Sequence, residues 1–86
     1  MKIYIVTQSW VIYSDYTEVI IGVVSSMKKA KELAMKAKPT YDDIIIAVEC
    51  FELDGEQHNF SKAEIEAYKF PDTFNYNKRI VLNMIE

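Results

Sequence analysis

The sequence predicts an α+β fold: a mixed sheet of four or five strands in the order β-β-α-β-(β)-α-β, with one main helix packed on one face. Three observations carry this expectation. The chain starts with a β-branched and aromatic run free of Gly and Pro, a lysine-rich segment after Ser26 repeats its apolar residues every three or four positions, and Ile44, Ile45, Ile46, Ala47 and Val48 follow one another without a break. With 86 residues the chain is long enough for one modest core, so residues 1–86 are read as one domain.

Residues 2–7 suit a strand covered on both faces. Residues 17–24 form a second apolar run, and the stretch between them mixes Trp10, Tyr13 and Tyr16 with Ser14 and Asp15. Two apolar strands so joined make an antiparallel hairpin, with the three aromatics placed at its loop. Gly22, inside the second run, marks a bulge or a close backbone approach.

Ser25 and Ser26 offer a hydroxyl to the first free amides of a helix. Met27, Ala30, Leu33, Ala34 and Ala37 share one face of that helix, while Lys28, Lys29, Lys31, Lys36 and Lys38 occupy the other. Pro39 stops it. The third strand spans residues 43–53, buried at first and half-exposed later. A helical crossover makes it a parallel neighbour or near-neighbour of the second strand. Asp54-Gly55 signals a tight turn, after which residues 56–59 can return as a short edge strand. Ser61 and Glu64 fit a capping box, and Phe60 and Ile65 fit a hydrophobic staple around a helix over residues 62–69 that Pro71 ends. After a polar loop, residues 79–85 alternate well enough for a last strand, while their Leu, Met and Ile residues also fit a helix turn.

The runs Ile3-Tyr4-Ile5-Val6-Thr7, Ile21-Gly22-Val23-Val24-Ser25-Ser26, Lys29-Ala30-Lys31-Glu32-Leu33-Ala34 and Phe51-Glu52-Leu53-Asp54 together resemble a family of small uncharacterised bacterial and phage proteins. The resemblance covers residues 2–54. It implies a strand-strand-helix-strand unit with a helix cap after the second strand, and it implies no activity.

The chemistry-bearing residues are few. Gly22 and Gly55 are the only glycines and lie far apart, which removes phosphate-cradling loops of the Walker or dinucleotide type. One Cys and one His give neither a disulfide nor a His-rich metal site. Cys50 reads as a small core residue, His58 as a solvated turn histidine, and Asp42 and Asp43 as solvated acids rather than a cation site. No catalytic residue, metal or cofactor is expected. Ten Lys and Arg against thirteen Asp and Glu disfavour nucleic acid as a partner, and no apolar run is long enough for a membrane span. With no signal-peptide pattern at the start, the expected location is the cytoplasm.

What remains is surface. Trp10, Tyr13 and Tyr16 are residue types that dominate binding hot spots, and they form the expected partner-binding patch. Lys28, Lys29 and Arg79 are candidate anion-binding residues in a dimer cleft. Residues 1–41 hold six Lys against three acids, and residues 42–86 hold ten acids against four Lys and Arg, a polarity that suits pairing with a second copy. The leading expectation is a non-enzymatic protein-interaction module, a phage-type accessory protein with a host or viral partner, that also self-associates as a homodimer, either by pairing at an uncovered sheet edge or through the sheet face. The alternative is a small-ligand or nucleotide-binding protein.

Overall fold

The computed structural model describes residues 1–37, 44–68, 71–72 and 77–82. Within them lie five strands and two helices: β1 (Lys2–Ile12), β2 (Asp15–Val24), α1 (Met27–Lys36), β3 (Ile45–Glu52), β4 (Gln57–His58), α2 (Lys62–Tyr68) and β5 (Ile80–Val81). The α+β class and the element order are those read from the sequence. Lys38, Pro39, Asp42 and Asp43, the end of the second helix at residue 69 and the strand positions 83–85 lie outside the described residues.

The strands run in the order β2-β1-β3-β4, and β5 also pairs with β3. Each of these pairings is antiparallel. The parallel relation expected of a crossover therefore falls between β2 and β3 as near-neighbours, with β1 running between them. The far edge of β3 is shared: β4 lies opposite Cys50 and Phe51, and β5 opposite Ala47 and Val48.

α1 begins where Ser26 Oγ accepts from the Lys29 amide at 3.2 Å, closing one of the free N–H groups of the first turn. Ala30 and Ala34 are buried, with Met27, Leu33 and Ala37 packed beside them, while Lys28, Lys29, Lys31 and Lys36 face water. Small residues on this stripe let the helix sit close to the sheet, over the face that carries Val6, Ile46, Val48 and Cys50. Gly22 meets both of its expectations. The register of β1 and β2 shifts between Val6 and Thr7, so Gly22 pairs with Val6 and Ile20 with Thr7, leaving Ile21 as the extra residue of a bulge. A Cβ at position 22 would also overlap Leu33 Cδ2.

The second helix has the reciprocal cap: Ser61 N donates to Glu64 Oε1 at 3.1 Å, and Glu64 N donates to Ser61 Oγ at 3.2 Å. Phe60 and Ile65 both enter the core, joined by Ile80 and Leu82. Val6, Ile46, Val48 and Ile80 are fully enclosed, and burying each such side chain contributes about 1.5–3 kcal/mol.

The hairpin departs from expectation in length. Both strands continue to a two-residue turn, with Ile12 opposite Asp15 and with Tyr13 and Ser14 at φ 49° and 72°. Positive φ at both central positions is the turn that matches strand twist, normally built from Asn and Gly. At the next turn it is Asp54, at φ 60°, and not Gly55 that takes the left-handed position.

Candidate interaction surface

β2 is the end strand of the sheet. Among the described residues no strand pairs with its outer side, and every second residue of an antiparallel edge turns both its N–H and its C=O outward. The strand Asp15–Val24 reads DYTEVIIGVV, with neither Lys nor Pro, the residues that usually blunt an edge. Ile20 is 64% exposed and Val23 57%, and Val11, Ile12, Tyr13 and Tyr16 prolong the apolar exposure to the hairpin tip. From the pairings with Val11, Ser9, Thr7 and Ile5, residues Tyr16, Glu18, Ile20 and Val23 share one face, because the bulge absorbs the odd step. At the other end of the strand an open groove is lined by Ile3, Val23, Val24, Ser25 and Lys29, with Lys29 Nζ donating to Ser25 Oγ at 3.3 Å.

The three predicted aromatics do not form one loop. Trp10 and Tyr16 are strand residues paired with Thr17 and Val11, and strand alternation sends them to opposite faces of the hairpin. Trp10 is half-buried, and only Tyr13, 98% exposed, sits at the turn itself. Tyr16 is exposed, but its hydroxyl interacts with the Arg79 guanidinium.

Arg79 is already engaged by acids of its own chain. Its side chain is nearly enclosed, with guanidinium nitrogens 3.6 Å from Asp72 Oδ2, 3.7 Å from Glu49 Oε1 and 4.0 Å from Glu18 Oε1. Burial opposes its charge, yet the Tyr16 hydroxyl and the carboxylates of Asp72 and Glu18 outweigh that and raise its pKa. Burial in turn pushes the Glu49 carboxyl up against the pull of Arg79, with Glu18 and Asp72 adding to the rise. Arg79 is thus a neutralised strut across the sheet face opposite α1. Lys28 and Lys29 are exposed near the Ser25 end of β2, whereas Arg79 meets β2 at Glu18, roughly 20 Å away along the strand. Within one chain the three cations do not converge.

Cys50 and His58 are opposite each other on β3 and β4, and His58 Nε2 lies 3.1 Å from Glu52 Oε2. Glu52 also binds the Met1 amino group, and that contact, followed by His58, holds its carboxyl below the usual range. The trio resembles a nucleophile, base and orienting acid in type alone. The Cys50 thiol is enclosed in the core beside Tyr4, and burial pushes its pKa up, which keeps the sulfur protonated and out of reach. Among the described residues no group of three or more His, Cys, Asp or Glu side chains could hold a metal ion, and no helix is long and apolar enough to cross a membrane.

The exposed apolar side of β2 is the feature that sequence reading missed. Apolar runs in short strands read as buried; the sequence implies that some sheet edge is uncovered but does not say that it is β2, nor which of its side chains face outward. Position at the end of the strand order decides exposure here, and that order is a property of the assembled sheet.

Residues 1–62 match the family described as Domain of unknown function (DUF7336), and the chain belongs to that family. No curated protein and no solved structure matches it.

Proposed function

We propose that this member of the DUF7336 family is a non-enzymatic protein-interaction module, an accessory protein of the bacterial or phage type suggested by the resemblance over residues 2–54. It engages an extended segment of a protein partner through the open side of β2 and the Tyr13 tip. One observation supports this reading above the others: a ten-residue end strand with exposed Tyr16, Ile20 and Val23 and no Lys or Pro to discourage pairing. A strand added to this edge gains main-chain hydrogen bonds, and the alternate side chains Tyr16, Ile20 and Val23 supply selectivity on one face.

The test is site-specific photocrosslinking in the native host, with a benzophenone side chain at position 13, 20 or 31. Positions 13 and 20 are expected to yield discrete protein adducts, while position 31, on the water-facing side of α1, yields none. Adducts at 13 and 20 no more abundant than at 31 would end the proposal.

A further inference from the structure

We infer that the strand accepted by β2 is the β2 of a second copy of this chain, paired antiparallel about a two-fold axis near Ile20 and Ile21. This names the partner for the interaction reading above and rests on it.

Charge along the strand selects the occupant. β2 starts at an acidic end, with Asp15 exposed and Glu18 already facing Arg79, and runs at its other end into Ser25, Ser26 and the first turn of α1, where Lys28 and Lys29 are exposed. No basic residue lies on β2 itself. Antiparallel pairing of two copies lays the acidic end of each strand against the basic end of the other, and it does so twice. Parallel pairing would instead set acid beside acid. An unrelated strand needs this polarity by coincidence, while a second copy has it by symmetry.

Side-chain alternation narrows the register. A sheet continued across the axis keeps opposed residues on the same face. Because Ile21 is the bulge residue, Tyr16, Glu18 and Ile20 share a face with Val23 beyond it. Centring the pairing between Ile20 and Ile21 sets Glu18 opposite the partner's Val23 and Tyr16 opposite the partner's Ser25. The Tyr16 ring then meets the partner's groove formed by Ile3, Val23, Ser25 and Lys29. Asp15 comes opposite the partner's Ser26, within a helical turn of the partner's Lys29. Ile20, exposed in one copy, comes diagonally beside the Ile20 of the second copy at the axis, while Ile21 stays turned to the core.

Sedimentation velocity on the full chain, from about 1 µM to about 300 µM, reads the association directly. The expected result is a monomer–dimer equilibrium that weakens several-fold between about 0.05 M and about 0.5 M NaCl, as screening predicts for partly exposed pairs. Ile20→Lys brings two ammonium groups together beside the axis and leaves a monomer, with its circular dichroism unchanged because Ile20 is a surface residue. Asp15→Lys and Lys29→Asp each weaken the dimer about 10-fold, and the double variant Asp15→Lys/Lys29→Asp regains most of that loss, since each swapped charge finds its swapped mate. A chain monomeric at every concentration overturns the inference, as does a dimer indifferent to Ile20→Lys or a double variant no tighter than either single one. If the chain is monomeric while crosslinks at positions 13 and 20 still capture a different protein, the inference falls and the interaction module stands. Absence of both removes the two together.

Discussion

Replacing Gly22 by alanine is expected to cost the fold about 1 kcal/mol, against the usual benefit of removing a glycine from a strand. Gly22 does not have positive φ, so alanine meets no backbone penalty and gains about 0.4–1 kcal/mol by restricting the unfolded chain. The opposing effect is steric. The new methyl would overlap Leu33 Cδ2, while Leu33 Cγ and Cδ1 stand at 3.6 and 3.9 Å, an ordinary separation, so the conflict is confined to one methyl group. Leu33 is half-buried and can turn, but α1 cannot back away without opening the contacts of Ala30 and Ala34. Overpacking of this kind costs about 1–3 kcal/mol, which leaves a net loss near 1 kcal/mol and a fall in Tm of about 4–8 °C for a chain of this size. Leu33→Ala alone costs about 2 kcal/mol, the low end for a leucine that keeps partial exposure. In the double variant the alanine methyl occupies space that Leu33 vacates, so the combined loss is about 1 kcal/mol smaller than the sum. Urea melts of the four proteins followed by circular dichroism give the coupling, with the slope m checked for constancy. A stabilised Gly22→Ala protein, or costs that add to within about 0.5 kcal/mol, would refute the close approach of β2 and α1.

Glu49→Gln tests the acidic side of the Arg79 strut. The folded pKa of Glu49 is raised, so its stabilising share is fully present below the ordinary carboxylate range and is lost as pH rises through the folded value. The variant is therefore expected to flatten the part of the decline in stability that Glu49 contributes as pH rises above the ordinary carboxylate range, and a difference between the two proteins that grows in the other direction contradicts the sign. At the hairpin tip, Tyr13→Asn with Ser14→Gly supplies the residues that a turn with two left-handed positions favours. Thermal melts are expected to show a gain of about 1 kcal/mol while photocrosslinking from position 20 weakens, because the Tyr13 ring is gone. An unchanged or lowered Tm would mean that the turn is not strained.

How much of this was readable in the sequence depends on the range over which each feature is determined. The Ser61 and Glu64 cap, the Ala30 and Ala34 stripe and the double meaning of Gly22 follow from neighbours within a few positions, and each stands as expected. The hairpin tip was hidden because Tyr13-Ser14 carries none of the glycine or asparagine that marks such a turn, so strand residues around it passed for a loop. The Arg79 strut was hidden for another reason. Glu18 and Glu49 flank β1 through the registers Glu18 with Ser9 and Glu49 with Ile5, and Arg79 reaches them only because β5 adds to the far side of β3. No local pattern in the sequence encodes that convergence.

The same strut changes what the charge polarity of the chain means. Read along the sequence, the basic first half and acidic second half suggest two poles that pair over long range. In the fold, Arg79 takes up Glu49 and Asp72 of the acidic half together with Glu18 of the basic half, and Glu52 is occupied by the Met1 amino group and His58. These carboxylates project less outward field than their count suggests, since each is already matched by a nearby cation or hydrogen bond. The lysines of α1 are matched far less: Lys28, Lys29, Lys31 and Lys36 all face water, and Lys29 contacts a hydroxyl rather than an acid. The charge relation that matters for a partner is therefore short, between Asp15 at one end of β2 and Lys29 at the other. A short relation of this kind orients a strand laid along that edge, which a diffuse dipole of the whole molecule does poorly at physiological salt.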